Sequence, residues 1–299
     1  MGQSPLELSI VIVNWNTRDM LRECLLSLFA ACHRWPKFEI IVVDNASSDD
    51  SVAMVRADFP EVILVENKTN LGFGGGNNVG FARSTGKIIA TINSDTQVLS
   101  DALEVICAYF ASNEKTGAVA PKLLNTDGSV QLSCRRFPGF MTALFNRYSL
   151  LTRLFPNNAW SRDYLMSDCG HESSMDVDWV SGAALFVRRE VYDSLGGFDE
   201  DYFMYSEDVD WCYRIHRAGW RVAYVPEAAL IHHIGTSTGH APFRMVWQRH
   251  RSMWLFYRKH YSADIVLLDI ATWLGIWSRF AVIVTRNAIR KLLGRKVNS

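Results

Sequence analysis

None of the six cysteines (Cys24, Cys32, Cys107, Cys134, Cys169, Cys212) falls in a Cys-x-x-Cys pair. That absence argues against a zinc ribbon or a thioredoxin-like redox site. Several of these thiols sit in apolar patterns, where cysteine acts as a small hydrophobe, and free thiols suit a reducing compartment. No secretory leader is expected, because the first residues run straight into a strand pattern. A myristoylation pattern fails at Leu6, where Ser or Thr would be needed. Internal repeats and low-complexity stretches are absent as well. There is no formal net charge either, with 31 basic and 31 acidic residues. The balance conceals an asymmetry: residues 241–299 carry eleven Lys and Arg against Asp264 and Asp269, a net +9, so residues 1–240 stand at −9. An acidic body with a basic tail points to an anionic surface as the tail's partner; no nucleic-acid partner is expected.

With 299 residues, 48% of them hydrophobic, the chain can build one large domain or two small ones. Residues 8–13 form an apolar run without alternation, the mark of a buried parallel strand. A helix pattern follows with Leu21, Cys24, Leu25 and Leu28 on one face. Further strands are predicted at 38–43, 62–65 and 88–92, with N-cap residues for a helix at 47–51. Strands alternating with helices predict an α/β fold with a mostly parallel central sheet between helices. Ligands in such sheets bind beyond the carboxyl ends of the strands. Those ends carry Asn14, Asn16, Asp44, Asn45, Asn93 and Asp95. After about residue 116 the pattern loosens. Strands are predicted at 180–187 and at 222–225 before Pro226, with a helix from about 206 to 218 ending near Gly219. Residues 134–178 read as a loop region.

Residues 197–210 place one glycine and six carboxylates among Phe198, Tyr202, Phe203 and Tyr205. A carboxylate walled by aromatics is poorly hydrated, and its pKa can rise to a value useful for a base. Residues 70–78, Asn-Leu-Gly-Phe-Gly-Gly-Gly-Asn-Asn, read as a loop that lets backbone approach a ligand. It is not a dinucleotide fingerprint: Asn77 stands where the last glycine belongs, and the loop does not follow the first strand, so NAD is disfavoured. Asp95 and the pair His232-His233 each follow an apolar strand pattern. Either could be structural; together they could hold Mg²⁺ or Mn²⁺ against phosphate oxygens, an imidazole favouring Mn²⁺. In the tail, residues 265–284 approach the length of a membrane span, yet Asp269 and Arg279 interrupt them. Trp247, Trp254, Trp273 and Trp277 among basic residues suit a helix lying in a membrane interface. The competing reading is a helix pair packed over the body.

Taken in order, the motifs at residues 10–16, 43–49, 70–74, 93–95, 181–183, 197–200, 207–210 and 232–237 resemble the family-2 inverting glycosyltransferases of the GT-A fold, especially the rhamnosyltransferase-like branch. The resemblance covers about residues 8–261. It implies a catalytic domain over 1–240, with a nucleotide-sugar half (1–120) and an acceptor half (121–240), followed by a helical extension (241–299). It implies that Asn14, Asn16 and Asp44 line the nucleobase pocket, and that Asn70, Gly72, Phe73 and Asn77 contact a nucleotide-diphospho-sugar donor. Asn93 and Asp95 occupy the D-x-D positions, Asn93 being a departure from the acidic residue; Asp95 and His232 would bind the metal, with His233 as the fallback. Asp208 would be the general base, Glu207 its orienting neighbour, and Trp179, Ser181 and Gly182 would lie near donor sugar and acceptor. The implied reaction moves a sugar, L-rhamnose from dTDP-rhamnose, onto a glycan or lipid-linked acceptor in cell-surface polysaccharide synthesis, at the cytoplasmic face of the membrane. A UDP-hexose or UDP-galactofuranose donor remains an alternative, as does a non-catalytic nucleotide-sugar scaffold, although a scaffold need not keep a base.

Overall fold

The computed structural model describes residues 6–31, 37–139, 158–233, 242–263 and 265–293. Cys32, Asp264 and the Gly235–Ser237 end of the histidine motif lie outside them. In chain order the elements begin with β1 (Leu8–Asn14), α1 (Arg18–Ala31), β2 (Phe38–Asp44), α2 (Ser51–Asp58), β3 (Ile63–Glu66), α3 (Gly72–Phe81), β4 (Ile88–Ile92) and β5 (Thr96–Val98). There follow α4 (Ala102–Ser112), β6 (Thr116–Leu124), β7 (Val130–Gln131), β8 (Cys134–Arg135), α5 (Ala159–Leu165), β9 (Met175–Asp176), β10 (Trp179–Val180) and β11 (Ala184–Arg188). The chain continues through α6 (Arg189–Leu195), α7 (Glu207–Arg217), β12 (Arg221–His232), α8 (Pro242–His260) and α9 (Val266–Leu292).

The main sheet runs β3-β2-β1-β4-β11-β6-β12-β5. Pairings among β1 to β4 are parallel, as is β6 with β12, while β11 is antiparallel to both β4 and β6. Successive strand residues point to opposite faces, and both faces are covered. Ile10, Ile12, Ile40 and Val42 pack with Leu21 and Leu25 of α1, Val55 of α2 and Ile106 of α4. Val11, Ile41 and Val43 pack with Phe81 of α3, Val191 of α6 and Trp211 of α7. Double burial is why the strands read as unbroken apolar runs.

Four stretches differ from the sequence reading. The glycine stretch is not a loop but the first turns of α3. Helical glycine is normally unfavourable; here it permits contact with the sheet, since a Cβ on Gly80 would stand 2.3 Å from Val11 Cγ1. The strand predicted over 180–187 is two strands broken at 181–183. The one predicted to stop at Val225 runs through Pro226 to His232, with a register shift between Val225 and Ala229. A bulge is where a sheet tolerates proline. Within residues 134–178 the described part forms β8, α5 and β9 rather than loop alone.

The basic extension divides in two. α8 lies against the body: Lys259 pairs with Asp199 and Asp201, His260 Nε2 meets Asp210 at 2.7 Å, and Ser252 Oγ donates to Met204 O at 2.9 Å. α9 packs on α8 through Trp277 against Trp247, with ring centroids 4.8 Å apart. Much of the rest of α9 is bare, with Leu267 80% and Leu292 87% exposed.

Candidate active site

The residues at the strand ends are ordered by one another. Asn14, fully buried, donates from Nδ2 to Asp44 Oδ1 at 2.9 Å and to Ser47 Oγ at 3.1 Å, and accepts from Thr17 Oγ1 at 2.7 Å. The Ser47 amide donates to Asp44 Oδ2 at 2.8 Å. Each carboxylate oxygen of Asp44 therefore has one partner and keeps a second lone pair for a ligand. Asn16 adopts a positive φ of 55° and accepts from the Ser48 amide at 2.7 Å, so it shapes the turn beside this pocket.

Asn70 Oδ1 caps the approach to α3 by accepting from the Gly72 amide at 2.8 Å. Gly72 sits at φ 80°, and a side chain there would strike Phe203 O. Phe73 turns to Gly182, where a Cβ would meet its ring at 3.1 Å. Asn77 is not brought to the cleft: it is fully buried in α3 and donates to Phe73 O at 3.0 Å.

The broken strand is the hinge of the site. The Ser181 amide donates to Ser133 O at 2.8 Å, the Gly182 amide to Asp208 Oδ2 at 3.0 Å, and Ala183 O accepts from the Asn93 amide at 2.9 Å. Gly182 and Ala183 thus tie Asp208 to the 93–95 segment, with Ser181 anchored to Ser133. Asp208 Oδ1 accepts from the Val209 amide at 2.9 Å. Burial pushes the Asp208 carboxyl above its usual range, opposed by the two amides; burial and then the Asp208 charge push Glu207 well above its own. Glu207 is 5% exposed, and its Oε2 has no hydrogen-bond partner among the described residues. Just before the pair, Tyr205 and Ser206 both hold positive φ, 69° and 67°. Such backbone is strained by roughly 1–3 kcal/mol per residue and persists only where packing enforces it. The enforcing element is α8, whose Arg249 lies 4.6 Å from the Tyr205 ring centroid. The aromatics of the acidic stretch serve mainly as core: Phe198 packs on Phe73, Phe81 and Trp211, and Tyr202 is fully buried.

His232, at the end of β12, places Nε2 3.3 Å from Asp95 Oδ1. Its Nδ1 lies 3.0 Å from Gln131 Oε1. An amide oxygen accepts, so this contact fixes the ring with Nδ1–H toward Gln131 and turns Nε2 toward Asp95. The side-chain Nδ2 of Asn93 is 3.4 Å from the same nitrogen. His233 contributes its backbone amide to Asp95 O at 2.9 Å. Among the described residues no group of three or more His, Cys, Asp and Glu forms a cation site on its own. A carboxylate and an oriented imidazole fit a cation whose other positions are filled by phosphate oxygens and water.

Ser47, Thr17 and Gln131 escaped the sequence reading. Only Ser47 stood inside a motif; Gln131 lies 101 residues from the histidine it orients.

A model of the family described as "Glycosyl transferase family 2" matches residues 9–167. The chain belongs to that family. As a glycosyltransferase it is 30% identical over 267 residues to the N-acetylglucosaminyl-diphospho-decaprenol L-rhamnosyltransferase of Mycobacterium tuberculosis, covering 85% of each chain. Over 57 residues, 19% of this chain and 22% of the relative, it is 46% identical to rhamnosyltransferase WbbL of Escherichia coli. In fold it is similar to mannosyltransferase PcManGT from Pyrobaculum calidifontis, in complex with GDP-Man and Mn²⁺, at TM-score 0.59 and 18% identity, covering 95% of this chain and 77% of that one. The sheet between helices is thus a GT-A-like glycosyltransferase fold.

Proposed function

We propose that this glycosyltransferase moves L-rhamnose from dTDP-rhamnose to a hydroxyl of a lipid-linked diphospho-sugar, with inversion, at the cytoplasmic face of the membrane. The observation that carries the reading is the 181–183 strap, which holds a half-buried carboxylate, Asp208, next to the Asn93–Asp95 segment. The likeness to the mycobacterial rhamnosyltransferase supports the sugar and the acceptor class.

Inversion needs one in-line displacement at the anomeric carbon. Asp208 takes the proton of the attacking hydroxyl; the raised carboxyl makes it a stronger base than a solvated aspartate. Glu207, whose carboxyl is pushed well above its usual range by burial and by the Asp208 charge, leaves the reacting charge to Asp208. Asp44 accepts the N3–H of the pyrimidine, held in place by Asn14 and Ser47. The Asn70–Phe73 turn lies against the donor. Asp95 and His232 would hold Mn²⁺ or Mg²⁺, which would neutralise charge on the departing diphosphate. The bare face of α9 supports attachment to a membrane carrying the acceptor.

The test is incubation of the purified protein with dTDP-rhamnose, UDP-sugars or GDP-sugars, a short-chain alkyl diphospho-N-acetylglucosamine and Mn²⁺, followed by mass spectrometry for the sugar added and NMR for its anomeric configuration. A deoxyhexose added only with dTDP-rhamnose, in the opposite anomeric configuration to the donor, is the expected product. Transfer from a UDP-hexose alone would replace the donor, and retention of configuration would remove Asp208 as base.

A further inference from the structure

One cation beside Asp208 has no part in the chemistry above. Arg135 lies in β8, which pairs antiparallel with β10 and sets Arg135 opposite Trp179. Its guanidinium carbon is 5.6 Å from the Trp179 ring centroid and 5.8 Å from that of Tyr164 in α5. Trp179 is itself pinned, its Nε1 donating to Arg136 O at 2.8 Å. The neighbouring Arg136 has Asp178 at 3.3 Å; among the described residues Arg135 joins no ion pair. Its backbone contact, to Leu132 O, is long at 3.4 Å.

This half-exposed guanidinium is oriented by the two rings and by a side-chain hydrogen bond with Tyr164, and it keeps N–H donors for a ligand. Its planar fork matches two oxygens of a phosphate. Its charge is close enough to act on Asp208, favouring the ionised carboxylate. An anion at Arg135 would therefore lie in the same cleft as the base.

We propose that Arg135, held between Tyr164 and Trp179, is the subsite for the diphosphate of the acceptor, the group that joins its sugar to the lipid. This deepens the lipid-linked reading and rests on it. The acceptor sugar then spans the cleft with its reacting hydroxyl at Asp208, its ring beside Trp179 and its anomeric diphosphate at Arg135. The donor also carries a diphosphate, so the experiment separates the two sources.

Calorimetry should compare three ligands on wild type, Arg135→Lys and Arg135→Gln: an alkyl diphospho-N-acetylglucosamine, the neutral alkyl N-acetylglucosaminide, and dTDP with Mn²⁺. Wild type should bind the diphospho compound at least about tenfold more tightly than the neutral one, as expected for charge-assisted bonds. The Gln variant should lose most of that ratio, the Lys variant part of it, and both should bind dTDP within about twofold of wild type. An unchanged ratio in Arg135→Gln, or an equal loss on both acceptors, overturns the proposal. A loss of dTDP binding matching the loss of acceptor binding assigns Arg135 to the donor and also overturns it. Failure of the wild type to transfer sugar to either acceptor would instead remove the parent reading, and this proposal with it.

Discussion

At the scale of the residue, the proposed reading gives two neighbouring carboxyls different tasks because their partners differ. Asp208 has two backbone amides for its charge, whereas Glu207 has a buried oxygen with none. The amides favour charge on Asp208, while burial and the Asp208 charge disfavour it on Glu207. Asp208→Asn should cut transfer by roughly 10²–10⁴-fold and leave dTDP binding intact, since the amide keeps shape but cannot take a proton; near-normal turnover would place the base elsewhere. The acid limb of kcat/KM should lie above the usual aspartate range. In Glu207→Gln it should stay where it is, because the amide mimics a protonated acid; a downward shift would show that Glu207 is charged in the working enzyme. Stability has the opposite sense. Both folded-state pKa values are raised, so the folded chain binds more protons, and stability falls as pH rises from the ordinary carboxylate range through the raised values. At the other pole of the site, Asp95→Ala and His232→Ala should weaken Mn²⁺-dependent dTDP binding while leaving thymidine binding unchanged. Gln131→Leu should weaken it by about 10–100-fold through loss of imidazole orientation. Equal dTDP affinity with and without Mn²⁺ in the wild type would remove this metal site.

At the scale of the element, stability and catalysis meet in α3 and α8. Gly80→Ala forces a methyl into Val11 and should cost about 1–3 kcal/mol in a urea melt. His260→Ala leaves Asp210, 1% exposed, with Arg214 as its remaining ion-pair partner. It should lower both stability and kcat with little change in nucleotide affinity, because α8 buttresses the strained Tyr205–Ser206 turn; unchanged kcat would make α8 a mere cover. These elements also mark what was legible beforehand. β1 and β2 were readable because burial on both faces leaves an unmistakable apolar run. α7 was readable from its acidic first turn and the Gly219 stop. α3 was not, because glycine has poor helix propensity and only contact with Val11 and Val13 makes it the right residue. The break at 181–183 was hidden too: its cause is the Asp208 carboxylate and the Ser133 carbonyl, distant in sequence. Of the site residues, those at strand ends could be named from sequence. Partners such as Gln131 and Arg135 could not, since only register brings them in.

At the scale of the whole molecule, charge counting and structure diverge over the extension. Its net charge of +9 suggested electrostatic attachment, but Lys259 of α8 faces Asp199 and Asp201, and Arg258 faces Asp269. On the proposed reading the 27-residue α9, long and apolar enough to cross a membrane and largely exposed, would be the stronger membrane element. Co-sedimentation should show binding to vesicles containing anionic lipid, more than to neutral ones, with high salt releasing only a minority. A chain ending at Tyr261 should lose this binding yet keep its affinity for dTDP. Binding that salt removes entirely would return the attachment to charge, and no binding to either vesicle would end the membrane reading. The same bare helix has a consequence far from any membrane. Leu267, Leu274, Val282 and Leu292 are each more than half exposed, and in plain buffer the nearest apolar surface is a second copy of the helix. Purified without detergent, the protein should elute at a size that grows with concentration. Its apparent specific activity would then depend on dilution, and the chain ending at Tyr261 should show neither effect.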